Sequence, residues 1–235
     1  EDRIGKSGYN NFNLISNLPY LPPAKNRVSW VIRSIRNSLK KLKTRKLYAV
    51  FVHNTKFLLN KDGHKIFNTL LKLKKKGIIL KIGVSIYTID ELKKILKKFK
   101  IDIVLVPYNV IDQRVKTTGM LKKLKKLNIE IYSRSSFLQG LLLIKRKKIP
   151  SKFNKWKPLF KIWENKIKNS NKSAQEICLN FVLSQKEIDK FVIGVDSSRQ
   201  FEDILKKAKP GFIETKNLVS NNQKNLINPS KWNNL

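Results

Sequence analysis

Apolar residues fall into two spacings along the chain. An unbroken apolar run at 47–52 and short, mainly apolar runs at 79–84, 101–106 and 129–132 read as buried strands, and the stretches between them repeat apolar residues every three or four positions, as one-faced helices do. Residues 79–115 show this most clearly. One strand at 79–84 ends in Ser85, a second at 101–106 ends in Pro107-Tyr108-Asn109, and between them Ile89, Leu92, Ile95, Leu96 and Phe99 recur at helical spacing. Lys93, Lys94, Lys97 and Lys98 take the other face, and Thr88 stands three residues before Glu91, a capping-box spacing that satisfies N–H groups at a helix start. Apolar strand, helix and apolar strand form a βαβ unit of a parallel sheet covered by helices. Polar residues gather just past both strands, where parallel sheets and barrels carry their chemistry.

The same reading extends over the rest of the chain. A strand is expected at 12–18, then a break at Pro19-Tyr20-Leu21-Pro22-Pro23 and a helix on Val28, Val31, Ile32, Ile35, Leu39 and Leu42. Strand 47–52 closes with His53-Asn54, and a helix on Ile66, Phe67, Leu70, Leu71 and Leu73 ends at Gly77. Met120, Leu121, Leu124 and Leu127 mark another helix, before strand 129–132 and Ser133-Arg134-Ser135-Ser136. After an irregular basic stretch at 145–157 come a helix at 159–168 and a second from Ser173, capped by Glu176. A strand at 190–194 and a helix at 200–207 complete residues 1–209 as one domain, and 210–235 is expected to be a loosely ordered tail. Six parallel-type strands, each followed by helical sequence, give an α/β fold, either doubly wound or a closed barrel.

Composition changes this picture little. The 235 residues suit one α/β domain, no apolar run is long enough to span a bilayer, and the single Cys178, within an apolar helix stripe, rules out an internal disulfide framework. A cytoplasmic protein without a membrane partner is the expectation. The net charge of +35 resembles that of a nucleic-acid binder, but the lysines lie on outward helix faces without interleaved aromatic residues. Lys, Asn and Ile share A/T-rich codons, so genome composition accounts for the charge. Weak salt-sensitive nucleic-acid binding is expected, and no specific nucleic-acid partner. No His, Cys, Asp and Glu cluster has metal-ligand spacing, so no metal site is expected.

His53, KIGVS at 81–85, VPYN at 106–109, SSFLQGLLL at 135–143, SAQEICLNFVLS at 173–184 and VIGVDSSRQFEDIL at 192–205 resemble, in order, the aldo-keto reductase family. The resemblance covers nearly the whole chain. It implies a (β/α)8 TIM-barrel type fold in which the six strands are the third to the eighth. Residues 1–6 match the helix after the family's second strand, so the sequence is expected to be a fragment of a longer chain and its barrel domain N-terminally incomplete.

The resemblance also implies NADPH-dependent reduction of a small aldehyde, ketone or sugar carbonyl. In the family a tyrosine donates a proton to the carbonyl, a lysine lowers the tyrosine's pKa, an aspartate pairs with the lysine, and a histidine orients the substrate. The aspartate and tyrosine would precede Glu1, the lysine position is Asn17, and the histidine is His53. Ser85 matches a residue that binds the nicotinamide carboxamide, whereas Ile86 and Leu105 replace the usual Asn and Gln. Arg134 replaces a stacking tyrosine, a role its planar guanidinium can fill. Ser135, Phe137, Leu138 and Gly140 match the loop over the pyrophosphate, where backbone N–H groups and close approach are needed. Ser198, Arg199, Glu202 and Asp203 match the segment at the adenosine 2′-phosphate and adenine, and bidentate pairing of Arg199 with that phosphate would favour NADPH over NADH. Tyr108 and Asn109 read as rim and packing residues. Taken alone, His53 also reads as a structural residue, Asn17 as a turn residue and Arg199 as a solvated charge. Asn17, Ile86 and Leu105 keep a second reading open, a catalytically inactive cofactor-binding or interaction protein of the same family.

Overall fold

The computed structural model describes residues 1–8, 12–19 and 27–235, so most of the break expected at 19–23 lies outside the described residues. The chain forms two compact units, Glu1–Leu105 with Asn128–Glu130, and Val106–Leu127 with Ile131–Leu235.

The first unit runs α1 (Asp2–Lys6), β1 (Ile15–Leu18), α2 (Arg27–Leu42), β2 (Leu47–Val52), α3 (Lys56–Leu59), α4 (Gly63–Lys75), β3 (Ile79–Ser85), α5 (Ile89–Lys98) and the start of β4 (Ile103–Pro107). Its strands are parallel and pair in chain order. Branched side chains explain the extended runs, and Val50, Val52, Ile82, Val84 and Val104 are all buried. Helix α2 turns Val31, Ile35 and Leu42 inward.

Local signals set the ends of its helices. Gly77 adopts φ +70°, its N–H donates to the Lys74 carbonyl (2.9 Å), and the Ile78 N–H donates to the Leu73 carbonyl (3.1 Å). This pair of bonds closes α4 in the left-handed turn that glycine accepts without strain. The capping box of α5 is formed: the Glu91 N–H donates to Thr88 Oγ1 (3.2 Å), and Glu91 Oε2 accepts the Tyr87 and Thr88 N–H groups (2.8 and 3.4 Å). Two differences from the sequence reading stand out. Strand β1 begins at Ile15 rather than residue 12, and Phe12 is exposed. The short α3 was unforeseen; it starts where Asn54 Oδ1 accepts the Lys56 N–H (3.1 Å).

The second unit holds the end of β4, α6 (Arg114–Thr117), α7 (Met120–Lys126), β5 (Glu130–Arg134) from Ile131 on, α8 (Lys157–Lys168), α9 (Ala174–Leu183), β6 (Lys190–Phe191), α10 (Ser198–Lys207) and α11 (Lys224–Ile227). Strands β5 and β6 are parallel, with Ser133 opposite Phe191. Strand β6 spans two residues instead of the expected 190–194, although the Val192 N–H still donates to the Ser133 carbonyl (2.7 Å). Ser173 and Glu176 cap α9 as expected, and Cys178 is buried in that helix. Short 3-10 turns keep residues 141–156 irregular. Residues 210–235, expected to be loosely ordered, bury Leu218, Leu226 and Ile227, and Asn221 Oδ1 accepts the Gln113 N–H (2.9 Å).

Candidate active site

In the first unit, strand register decides which candidates share a face. Buried Ser16 lies 3.0 Å from Ser38 of α2, so even positions of β1 meet the helical layer and Asn17 points to the opposite side. Asn17 is the Cα partner of Phe51, and Phe51 of Gly83. A Cβ placed on Gly83 would lie 2.6 Å from Phe51 Cε1, so the ring covers this glycine on that same face. Ser85 and its partner Leu105 stand two residues further along their strands than Gly83 and Ile103, and alternation returns them to the face of Phe51. Asn17, Phe51, Gly83, Ser85 and Leu105 therefore share a face, with Ser85 nearest the C-terminal end.

His53 follows the last residue of β2, is exposed, and has its ring centroid 6.4 Å from that of Tyr87 in an edge-on arrangement. Ser85 is fully buried, and its Oγ has no hydrogen-bond partner among the described residues. Ile86 is buried beside it, and its N–H donates to the Leu105 carbonyl (3.0 Å).

The second unit carries the other candidates past the ends of β5 and β6, which lie side by side. Arg134 is half-buried, with Nη1 3.4 Å from Ser135 Oγ. Ser135 (φ +63°), Leu138 (φ +47°), Gln139 (φ +53°) and Gly140 (φ +82°) lie in the left-handed region. Residues other than glycine rarely adopt it, and such conformations gather at ligand clamps. Asn109 holds this loop: its Nδ2 donates to the Ser135 carbonyl (3.0 Å), while its Oδ1 accepts the Ile111 and Asp112 N–H groups (both 2.9 Å). The Tyr108 hydroxyl donates to Gln185 Oε1 (3.0 Å), and burial, with a contribution from Glu187, pushes its phenol well above the ordinary range. Tyr108 and Asn109 are thus both buried and hydrogen-bonded within the second unit.

Ser198 and Arg199 open α10 and are exposed, and the cap itself is Ser197, whose side chain accepts the Gln200 N–H (3.2 Å). Exposed Glu202 follows, and Asp203 is paired with Lys207 (2.7 Å). The sequence reading passed over two further candidates. Ser133 and Ser136 are buried, and their hydroxyls have no hydrogen-bond partner among the described residues. The polar run after strand 129–132 was the available signal, but only tertiary burial separates these two hydroxyls from their neighbours. Among the described residues no group of three or more His, Cys, Asp or Glu could hold a metal, and no helix is long and apolar enough to cross a membrane.

Comparison with known proteins gives this arrangement its lineage. The holo form of an aldo-keto reductase from Bacillus halodurans matches with a TM-score of 0.74 at 16% identity, over 95% of this chain and 76% of that one. A protein from Pseudomonas aeruginosa described as an aldo-keto reductase matches with a TM-score of 0.62 at 17% identity, over 88% and 71% of the two chains. A thermostable aldo-keto reductase solved with the inhibitor epalrestat gives 0.64 at 20% identity, over 92% and 74%. At these identities the likeness speaks for the fold alone. No curated protein matches the chain. The sequence profile of the aldo/keto reductase family, however, matches residues 15–214. With βα units of the (β/α)8 type following one another in family order, the protein belongs to the aldo/keto reductase family of oxidoreductases.

Proposed function

We propose that the protein is an NADPH-dependent oxidoreductase acting on a small aldehyde, ketone or sugar carbonyl, with a cytoplasmic location to match its cofactor. The observation that carries this reading is the Ser85 hydroxyl, buried at a strand end without a partner among the described residues. Leaving such a group unpaired costs about 1–3 kcal/mol, and a carboxamide offers it both a donor and an acceptor. The residues present therefore fit the nicotinamide end. When bound, NADPH supplies the hydride. His53, just past the end of the strand next to that of Ser85, hydrogen-bonds the substrate carbonyl oxygen and orients it. Arg134 stacks its guanidinium on the nicotinamide ring. The loop of Ser135, Phe137, Leu138 and Gly140, bent by left-handed residues at 135, 138 and 140, allows close approach of its backbone to the pyrophosphate. Arg199 pairs with the 2′-phosphate, while Ser198, Glu202 and Asp203 line the adenine side.

The test is titration of the protein with NADPH and NADH, together with consumption of NADPH, over a panel of small aldehydes, by a chain that also carries the family's tyrosine and aspartate ahead of residue 1. Arg199→Ala should weaken NADPH roughly 10- to 100-fold, the loss of one bidentate charge-assisted contact, and leave NADH unchanged. Equal effects on both cofactors would remove Arg199 from the 2′-phosphate.

Asn17, Ile86 and Leu105 favour the second reading, a family member that binds cofactor without turnover. A neutral amide at Asn17 cannot supply the field of an ammonium, and Ile86 and Leu105 put apolar side chains beside Ser85. Under this reading NADPH binds but is not consumed, even when Asn17→Lys is combined with the family's two N-terminal strands and their tyrosine and aspartate.

A further inference from the structure

Apart from the residues assigned to the cofactor, the second unit contains a cavity of about 560 Å³ walled by the segment 142–149, helix α8 and Ala174 at the start of α9. This volume lies within the roughly 300–1,000 Å³ range of small-molecule sites. No residue assigned above to NADPH lines it. The floor is apolar, formed by Leu142, Phe160, Trp163 and Ile167. The Trp163 Nε1–H donates to the Leu142 carbonyl (2.9 Å), so its one polar atom is satisfied and the indole presents carbon to the cavity.

The rim has the opposite character. Lys145, Lys147 and Lys148 edge the opening, and no ion pair engages them among the described residues. The lining's one carboxylate, Glu164, is occupied by Arg146 (2.8 Å) and faced by Lys168 (4.0 Å). A polyphosphate would make no use of the apolar floor, a neutral apolar molecule would make none of the rim, and an organic cation would be repelled by it. An apolar body ending in one anionic group satisfies both. We infer that this cavity binds a small amphipathic carboxylate, its hydrocarbon body on Phe160 and Trp163 and its carboxylate at Lys145, Lys147 and Lys148.

The experiment is calorimetric titration of the full chain with decanoate below its micelle concentration, at physiological ionic strength, where exposed charges more than about 8 Å apart are largely screened. Saturable one-to-one binding is expected, with decanol at least tenfold weaker. Lys145→Glu combined with Lys148→Glu, both exposed and with side chains in no ion pair among the described residues, should weaken decanoate at least tenfold. The control, Lys93→Glu with Lys97→Glu on the outer face of α5, changes net charge equally and should leave affinity unchanged. Equal losses in both pairs, equal affinity for decanol and decanoate, or retention on anionic vesicles without saturable binding of dissolved decanoate would each overturn the inference.

Discussion

Replacing Ser85 by alanine separates a ligand-binding role from a structural one, because the two roles give opposite signs. In the unliganded protein the Ser85 hydroxyl is fully buried and unpartnered among the described residues, so alanine removes an unsatisfied group and keeps the Cβ. The ladder beside it is untouched, since the Ile86 N–H still reaches the Leu105 carbonyl at 3.0 Å. Stability should stay level or rise by about 1–2 kcal/mol, below the full penalty of an unpaired buried hydroxyl. For a chain of 235 residues that corresponds to a Tm increase of roughly 2–4 °C per kcal/mol. NADPH binding should instead weaken by about 0.5–1.5 kcal/mol, roughly 2- to 13-fold, the net worth of one hydrogen bond. Urea denaturation without cofactor gives the first quantity, and NADPH titration followed by protein fluorescence gives the second. A variant destabilised by more than about 1 kcal/mol with unchanged NADPH affinity would make Ser85 a structural residue and refute the reasoning.

Three further outcomes follow from particular contacts. Gly83→Ala should cost about 1–3 kcal/mol in urea denaturation, because its Cβ would sit 2.6 Å from a buried Phe51 ring; Phe51→Leu in the same chain should recover part of that loss. Thr88→Ala should cost about 1 kcal/mol by removing the side-chain half of the α5 capping box, a loss that Thr88→Ser should not show. Hydrogen bonds from the Ser173 N–H and hydroxyl, with Lys207 and Lys172 nearby, outweigh desolvation and hold the Glu176 carboxyl below its ordinary 4.5. A carboxylate lowered in the folded state contributes stability that is present above its unfolded pKa and lost as pH falls through the folded value. The stability gap between the protein and Glu176→Gln, measured by denaturation from pH 7 to pH 3, should therefore narrow below pH 4.5; a gap independent of pH would contradict it.

The elements legible in the sequence are those fixed by local chemistry. Strand β2 is an unbroken apolar run and forms at Leu47–Val52, both capping boxes form at Thr88 and Ser173, and Gly77 closes α4. Strand ends were less legible where pairing sets the limit: Phe12 has the composition of a strand but lies outside β1, and β6 stops at Phe191 despite the apolar Val192 and Ile193. Helix α3 depends on Asn54 accepting one N–H, which periodicity does not register. At the candidate site, burial separates residues that the family motifs leave equivalent. The unpartnered hydroxyls of Ser133 and Ser136 became visible only once the fold buried them, and Phe51 over Gly83 is a cross-strand contact that neither strand announces alone.

The proposed function stands or falls on NADPH binding, with Arg199 proposed at the 2′-phosphate. Its most direct test is a fluorescence titration of the full chain with NADPH, repeated with NADH. Saturable one-to-one binding, at least tenfold tighter for NADPH, is the result expected from a charge-assisted 2′-phosphate contact. Equal affinities for the two, or no saturable binding of either, would contradict the account.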